Sequence, residues 1–159
     1  MVKAIREGLN VLRYHTRTRI RPETNGHHSA NVAALCLALE PECSKEVLVR
    51  AIMHDVPEAY TGDIPYPFKA ESSKVKASLQ QAEMVYIDQI GLPHPDITQS
   101  EEMLLKTADM LDLVLSCGEE RAMGNTTLDE VIERGVNYLA DMPCFPKYDR
   151  KIGEILNGG

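Results

Sequence analysis

The chain has 159 residues, of which 43% are hydrophobic and 26% charged, and its formal net charge is −7 at pH 7. This composition predicts one globular domain over residues 1–159 and argues against a protein that holds duplex nucleic acid through its phosphates. The sequence has neither an apolar run of about 18 residues nor the apolar core of a signal peptide, so we expect no membrane span and a cytoplasmic location. The cysteines at 36, 43, 117 and 144 are far apart, which is typical of reduced thiols in that compartment.

Helical spacing of apolar residues runs through the chain, and Pro, Gly and Asn residues divide it into segments. Helices are predicted over residues 2–13, 26–39, 44–55, 68–90, 100–123, 127–143 and 147–156. Cap patterns support three of these starts, at Ser44, at Thr98 with Glu101, and at Thr127 with Glu130. In the helix over 68–90, the side chains expected to face inward are Val75, Leu79, Ala82, Val85 and Tyr86. The predicted fold class is an all-α bundle of six or seven helices.

The segment from Ala51 to Asp63 carries the densest group of chemically reactive side chains. On a continuing helix, Glu58 would lie about 40° from His54 and about 60° from Asp55. Crowding an imidazole with carboxylates costs repulsion and desolvation unless a cation lies among them, and a divalent metal is the simplest such cation. The alternative is an ordinary surface pair of His54 and Asp55 at a helix end.

Further ligand candidates lie outside this segment. His28 is near the start of the second predicted helix, 26 residues before His54, so neighbouring helices could present both imidazoles to one point. Asp109 lies in an otherwise apolar stretch, where a buried acid needs a partner, and Asp112 is the competing candidate three residues later. Two imidazoles and two carboxylates suit Mn, Fe, Co, Ni or Zn better than Ca. The candidate ligand set comprises His28, His54, Asp55 and Asp109.

A basic strip runs from Arg13 to Arg21 and contains four arginines and His15. In an acidic protein such a strip favours a small anionic ligand over a polymer, and the alternative is a solvated strip without a ligand.

In order and spacing, His28, His54-Asp55 and Asp109 match the H…HD…D signature of the HD-domain metal-dependent phosphohydrolases, which the chain resembles. The resemblance is stronger to their bacterial 5′-deoxynucleotidase branch and its small phage-type relatives, some of which hydrolyse deoxynucleoside triphosphates. It extends from Arg13 to Asp112, through Arg13-Tyr14, His28-Ser29, His54-Asp55-x-x-Glu58, Thr61-Gly-Asp63-x-Pro-x-Pro-x-Lys69 and Lys106-x-Ala-Asp109.

This resemblance implies an HD-domain-like helical bundle and a metal-dependent phosphohydrolase that cleaves the 5′-phosphate of (deoxy)nucleotides, foremost a 5′-deoxynucleotidase acting on dNMPs. One alternative is a deoxynucleoside triphosphate triphosphohydrolase, and another is a nucleotide-binding regulator with a structural metal. The implied cofactor is one divalent transition metal (Co, Mn, Zn, Ni or Fe), joined by Mg for a polyphosphate substrate. The implied assembly is a homo-oligomer, a dimer or larger.

The same resemblance implies roles for individual side chains. Glu58 would orient or deprotonate the attacking water, and Asp63 would protonate the leaving oxygen. Arg13 would bind the phosphate with both arms of its guanidinium group. Tyr14 stands where the deoxynucleotidases carry Trp. The remaining substrate-binding candidates, which would serve additional phosphates or else be ordinary surface lysines, are Lys69 and Lys106.

Overall fold

This computed structural model describes residues 1–143 and 145–157, without the side chains at 70, 71, 145 and 146. The described chain consists of helices and the loops that connect them. Within that part, Leu12 and Thr24 form an isolated antiparallel bridge, and no longer strand occurs. The helices are α1 (Val2–Leu9), α2 (Asn25–Leu39), α3 (Lys45–Met53), α4 (Glu58–Thr61), α5 (Tyr66–Glu71), α6 (Ser73–Ile90), α7 (Gln99–Ala122), α8 (Asp129–Asp141) and α9 (Phe145–Leu156). The predicted all-α class is confirmed, and the seven helices with eight or more residues agree with the predicted number. No described helix is long and apolar enough to cross a bilayer.

Two of the predicted helix starts are confirmed by their hydrogen bonds. The Ser44 side chain accepts from the backbone N–H of Val47 at 3.2 Å, and Thr98 and Glu101 form a complete capping box. The third prediction is wrong, because α8 begins at Asp129 without a side-chain cap. A 3-10 turn over Thr126–Leu128 precedes it and is capped by Asn125 instead.

The predicted helix through His54 and Glu58 is interrupted. α3 ends at Met53, His54 is its C-cap, and α4 begins at Glu58. Pro57 explains the break, because proline donates no hydrogen bond and disfavours helical geometry in the residue before it. The angles predicted for Glu58 from one continuous helix are therefore wrong.

The predicted helix over 68–90 is also divided, at Ser72, into α5 and α6. α5 starts at Tyr66 and keeps Pro67 in its first turn, where the missing N–H has no helical partner to lose. Ile87 is the buried residue of α6 among those described, and Val85, predicted to face inward, is 49% exposed. α6 is thus a peripheral helix with a narrow buried stripe.

The fold contains a large core and a small core. The large core lies between α2, α3, α7, α8 and α9, and its fully enclosed side chains include Val32, Leu39, Val47 and Leu111. Cys36 and Cys117 are buried free thiols and Cys43 is half-buried, which agrees with the prediction of reduced cysteines. Cys144 lies outside the described residues.

The small core consists of Val56, Ile87 and Leu92, with half-buried side chains of α1, α3 and α6 packed around them. Gly8 brings α1 against the main chain here: a Cβ atom at Gly8 would lie 2.7 Å from Val56 Cα and closer still to its carbonyl oxygen. Val56 lies between Asp55 and Glu58 in the sequence. The backbone of α1 therefore supports the segment that carries these two acids.

Candidate metal centre and active site

Packing of α2 against α3 and α7 brings the predicted metal ligands together. His28 comes from the first turn of α2, His54 from the end of α3, and Asp109 from α7. The Nε2 atoms of His28 and His54 are 3.3 Å apart, and His28 Nε2 is 3.0 Å from Asp109 Oδ1. Asp55 lies beside them, with Oδ1 at 3.4 Å from His54 Nε2. Three of the predicted ligands, His28, His54 and Asp109, thus form one group, and Asp55 lies at its edge.

The other ring nitrogens show which tautomers these histidines adopt. His28 Nδ1 is 2.6 Å from Asp112 Oδ2, and His54 Nδ1 is 2.8 Å from the carbonyl oxygen of Ala51. Both partners accept hydrogen bonds, so in the neutral rings Nδ1 carries the hydrogen and Nε2 carries a lone pair. Lone pairs and carboxylate oxygens then face each other, an arrangement that requires a cation. The donor set fits a divalent metal.

The raised pKa of His28 also indicates that this centre favours a positive charge. Burial of His28 opposes the charged ring, yet its hydrogen bonds to Asp109 and Asp112 raise the pKa to about 9. Without a metal, a proton would therefore occupy the place of the cation. Asp112, considered in the sequence as a competitor of Asp109, is instead buried on the far side of the His28 ring.

Glu58 lies next to this centre and is almost fully buried, with 6% of its surface exposed. Asn25 Nδ2 donates to Glu58 Oε2 at 2.8 Å, and Lys69 Nζ is 3.7 Å from Oε1. Burial and the neighbouring Asp55 carboxylate raise the pKa of Glu58 to about 7, although Asn25 and Lys69 oppose the shift. A carboxyl group with such a pKa can accept and release a proton near neutral pH.

The loop after α1 contributes Arg13 and Tyr14. Arg13 Nη1 donates to Asp55 Oδ2 at 2.6 Å, and the Tyr14 backbone N–H donates to Asp63 Oδ2 at 2.9 Å. Tyr14 has a positive φ of 53°, which non-glycine residues rarely adopt. This strained turn places the Tyr14 N–H on Asp63, so the loop contacts both Asp55 of the metal centre and Asp63, one of the two predicted catalytic acids.

The rest of this loop is fixed to α7 by buried charges. Arg19 pairs with Glu23 at 2.6 Å and donates to Ser116 at 2.8 Å. Glu120 is fully enclosed and accepts the backbone N–H groups of Ile20 and Arg21. Part of the basic strip is therefore internal structure, and the alternative of a fully solvated strip is wrong for Arg19.

The two predicted lysines have different surroundings. Lys69 lies beside Glu58, as described above. Lys106 is half exposed and pairs with Glu102 at 2.8 Å, one turn earlier on α7. The structure thus brings Lys69, but not Lys106, into contact with another predicted site residue.

Sequence reasoning did not identify Asn25 as part of the site and gave Asp112 a different place. Asn25 is fully buried although it opens a helix, where an asparagine normally indicates only a cap. Its partners are 30 and 33 residues away in the sequence, and His28 and Asp112 are separated by 84. No local pattern indicates such contacts.

Comparison with known proteins shows the family of the chain. The sequence model of the family described as 5′-deoxynucleotidase YfbR-like matches residues 3–150. The chain is 29% identical to the 5′-deoxynucleotidase YfbR of Escherichia coli O1:K1 / APEC, with 71% of this chain and 68% of that one covered. It is 28% identical to a 5′-deoxynucleotidase of Enterobacter sp. (strain 638), with the same shares covered.

Solved structures share the fold at lower identity. The PH0347 protein from Pyrococcus horikoshii OT3 is 21% identical, with a TM-score of 0.72 and coverage of 97% of this chain and 95% of that one. The cyanophage S-2L HD phosphohydrolase DatZ, solved with dA and one catalytic Zn²⁺ ion, is 18% identical, with a TM-score of 0.72 and coverage of 96% and 91%. An HD-domain phosphohydrolase from Listeria innocua has 17% identity, a TM-score of 0.74 and coverage of 99% and 84%. The predicted HD-domain fold is confirmed.

Proposed function

We propose that this chain, which belongs to the YfbR-like 5′-deoxynucleotidase family, is a metal-dependent phosphohydrolase that removes the 5′-phosphate of deoxynucleoside monophosphates. One observation carries the proposal: two imidazole Nε2 atoms face each other at 3.3 Å among carboxylates, beside a buried Glu58. A cation centre next to a carboxyl group that titrates near neutral pH is the equipment that phosphate hydrolysis needs.

We assign the metal to the imidazoles of His28 and His54 and to the carboxylates of Asp55 and Asp109. These donors suit Zn, Mn, Co, Ni or Fe, and the single catalytic Zn²⁺ of DatZ makes zinc the first ion to test. When bound, such an ion supplies positive charge that polarises the phosphate and acidifies a water molecule.

Two carboxyl groups of the protein transfer the protons of the reaction. As the water oxygen bonds to phosphorus, Glu58 takes a proton from it. As the bond from phosphorus to the 5′-oxygen breaks, Asp63 gives a proton to that leaving oxygen. Arg13 holds Asp55 in place and adds positive charge on the phosphate side of the centre.

The distribution of cations supports a monophosphate substrate over a triphosphate. Arg13 and Lys69 both contact acids of the site, whereas the described ion pair of Lys106 is with Glu102 on the exposed face of α7. Two positive charges suit a single phosphate group better than the three phosphate groups of a triphosphate. The triphosphohydrolase and the regulator remain the alternatives to be tested.

A substrate screen tests the proposal directly. The common dNMPs, NMPs and dNTPs are incubated with Zn, Mn, Co or Mg, and the phosphate products are identified. We expect inorganic phosphate from dNMPs, and no turnover after chelation. Polyphosphate released from dNTPs would favour the triphosphohydrolase, and no turnover with any metal would favour the regulator.

The assembly and the cellular location follow from the resemblance and the sequence rather than from the site. We infer a homo-oligomer in the cytoplasm that does not bind duplex nucleic acid, the last because of its net charge of −7. Sedimentation velocity tests the first of these inferences.

A further inference from the structure

Asn25, the first residue of α2, joins three segments of the active site. Its backbone N–H donates to the carbonyl oxygen of Val11, in the loop that leads to Arg13. Its side-chain Nδ2 donates both to the main-chain oxygen of Asp55, at 3.2 Å, and to Glu58 Oε2, at 2.8 Å. One buried amide thus spans a proposed metal ligand and the proposed proton acceptor.

The orientation of this amide is determined by its two acceptors. Rotating it by half a turn would direct Asn25 Oδ1 at the Asp55 carbonyl and the Glu58 carboxylate, which are both rich in electrons. In the present orientation Oδ1 is buried and has no hydrogen-bond partner among the described residues. An unpaired buried acceptor is unfavourable for folding, so stability alone does not account for an asparagine here.

We propose that Asn25 is a positioning residue that determines which oxygen of Glu58 acts in catalysis, an inference that rests on the proposed function. Because Nδ2 holds Oε2, the oxygen left to receive the proton of the attacking water is Oε1. Oε1 is also the oxygen that faces Lys69, at 3.7 Å. The second hydrogen of Nδ2 donates to the main-chain oxygen of Asp55. The same amide therefore links the Glu58 carboxylate to Asp55 and keeps Glu58 at a fixed distance from the metal centre.

The test compares Asn25→Ala with Asn25→Ser, which keeps one donor, in the metal-loaded enzyme with dNMP substrates. We expect Asn25→Ala to lower kcat about 10- to 100-fold, as a base displaced by about 1 Å does. KM and bound metal should change little, because neither the phosphate contacts nor the metal ligands are altered. Asn25→Ser should recover part of kcat. Ser29→Ala, which removes a buried hydroxyl without a described partner from the same helix, is the matched control.

A double-mutant cycle with Glu58→Gln shows whether Asn25 affects kcat through Glu58. If Asn25 acts through Glu58, adding Asn25→Ala to Glu58→Gln should cause no further loss of kcat. Additive losses, an unchanged kcat, or loss of metal from a folded variant would each overturn the role of Asn25. If Asn25→Ala fails to fold by circular dichroism, Asn25→Ser is used for the same cycle. A parent enzyme without turnover would overturn the proposed function itself, and this role with it.

Discussion

The large core and the small core contribute different parts of the site. The large core lies between long, well-packed helices, and three of the four proposed metal ligands extend from its helices α2, α3 and α7. The small core has three buried side chains in the described part of the chain, and Glu58, Asp63 and Lys69 follow its residue Val56 in the sequence. Binding of the cation and transfer of protons are thus assigned to regions with different packing. Asp55 lies at their junction, with contacts to both.

Precise metal coordination benefits from a rigid support, whereas the groups that transfer protons must reach the substrate. If this division is correct, substitutions at the junction should abolish both functions. Substitutions on either side of it should affect one function and leave the other.

The largest effect is expected at the junction, from Asp55→Ala. This change removes a proposed ligand and the partner of Arg13, so metal and activity should both be lost while the helical content stays. Metal analysis of purified protein, with circular dichroism, measures the outcome. Asp88→Ala, at an exposed position of α6, is the control. Stoichiometric metal in Asp55→Ala would show that Asp55 is not a ligand.

The second-largest effect, on kcat alone, is expected from a substitution of Glu58 beside the small core. Glu58→Gln should lower kcat at least about 100-fold, the usual contribution of a general base, with metal content unchanged. Steady-state kinetics with parallel metal analysis tests this prediction. Glu102→Gln, on the exposed face of α7, should retain normal kcat. If Glu58→Gln also loses its metal, Glu58 is a ligand and the division between the regions is wrong.

On the large-core side, Asp112→Asn should weaken metal binding about 10- to 100-fold, because Asp112 orients the His28 ring from behind. Activity should return when metal is added in excess, since the proton-transfer groups are untouched. Competition with a chromogenic chelator measures the affinity. An unchanged affinity would mean that packing alone orients His28.

A smaller effect is expected on the pH dependence of stability in the metal-free protein. The pKa of His28 is raised from 6.5 to about 9, so its stabilising contribution is complete below pH 6.5 and is lost as the pH rises to 9. Glu58, with its pKa raised from 4.5 to about 7, loses its contribution earlier, as the pH rises from 4.5 to 7. The unfolding temperature of chelated protein should therefore fall between pH 6.5 and 9. A bound metal should reduce this decrease in unfolding temperature. An unfolding temperature that does not change with pH in the chelated protein would contradict the raised pKa of His28.

Local patterns in the sequence predicted the fold well. Ser44 and the pair Thr98–Glu101 start helices where expected, because a cap depends on residues only three positions apart. The proposed ligands also come together, since their order in the sequence belongs to a known fold. The interruption at Pro57 and the exposed Val85 were missed because helical periodicity was extended over a proline and over a peripheral helix.

The supporting contacts of the site could not be predicted in the same way. Asn25 and Asp112 act on residues that only the packing of α2 against α3 and α7 brings near. In the sequence, each of them is an ordinary polar residue of a helix. Their roles depend on burial and on hydrogen-bond direction, which no spacing rule contains.

The close contact at Gly8 has a consequence for the mutational tolerance of this enzyme. Because a methyl group at this position would collide with the main chain of Val56, even alanine must displace either α1 or the segment between Asp55 and Glu58. In a saturation mutagenesis screened for activity, Gly8 should therefore tolerate as few replacements as a reacting residue, although it carries no functional group. Such a screen would identify as essential a position that contributes only the absence of a side chain.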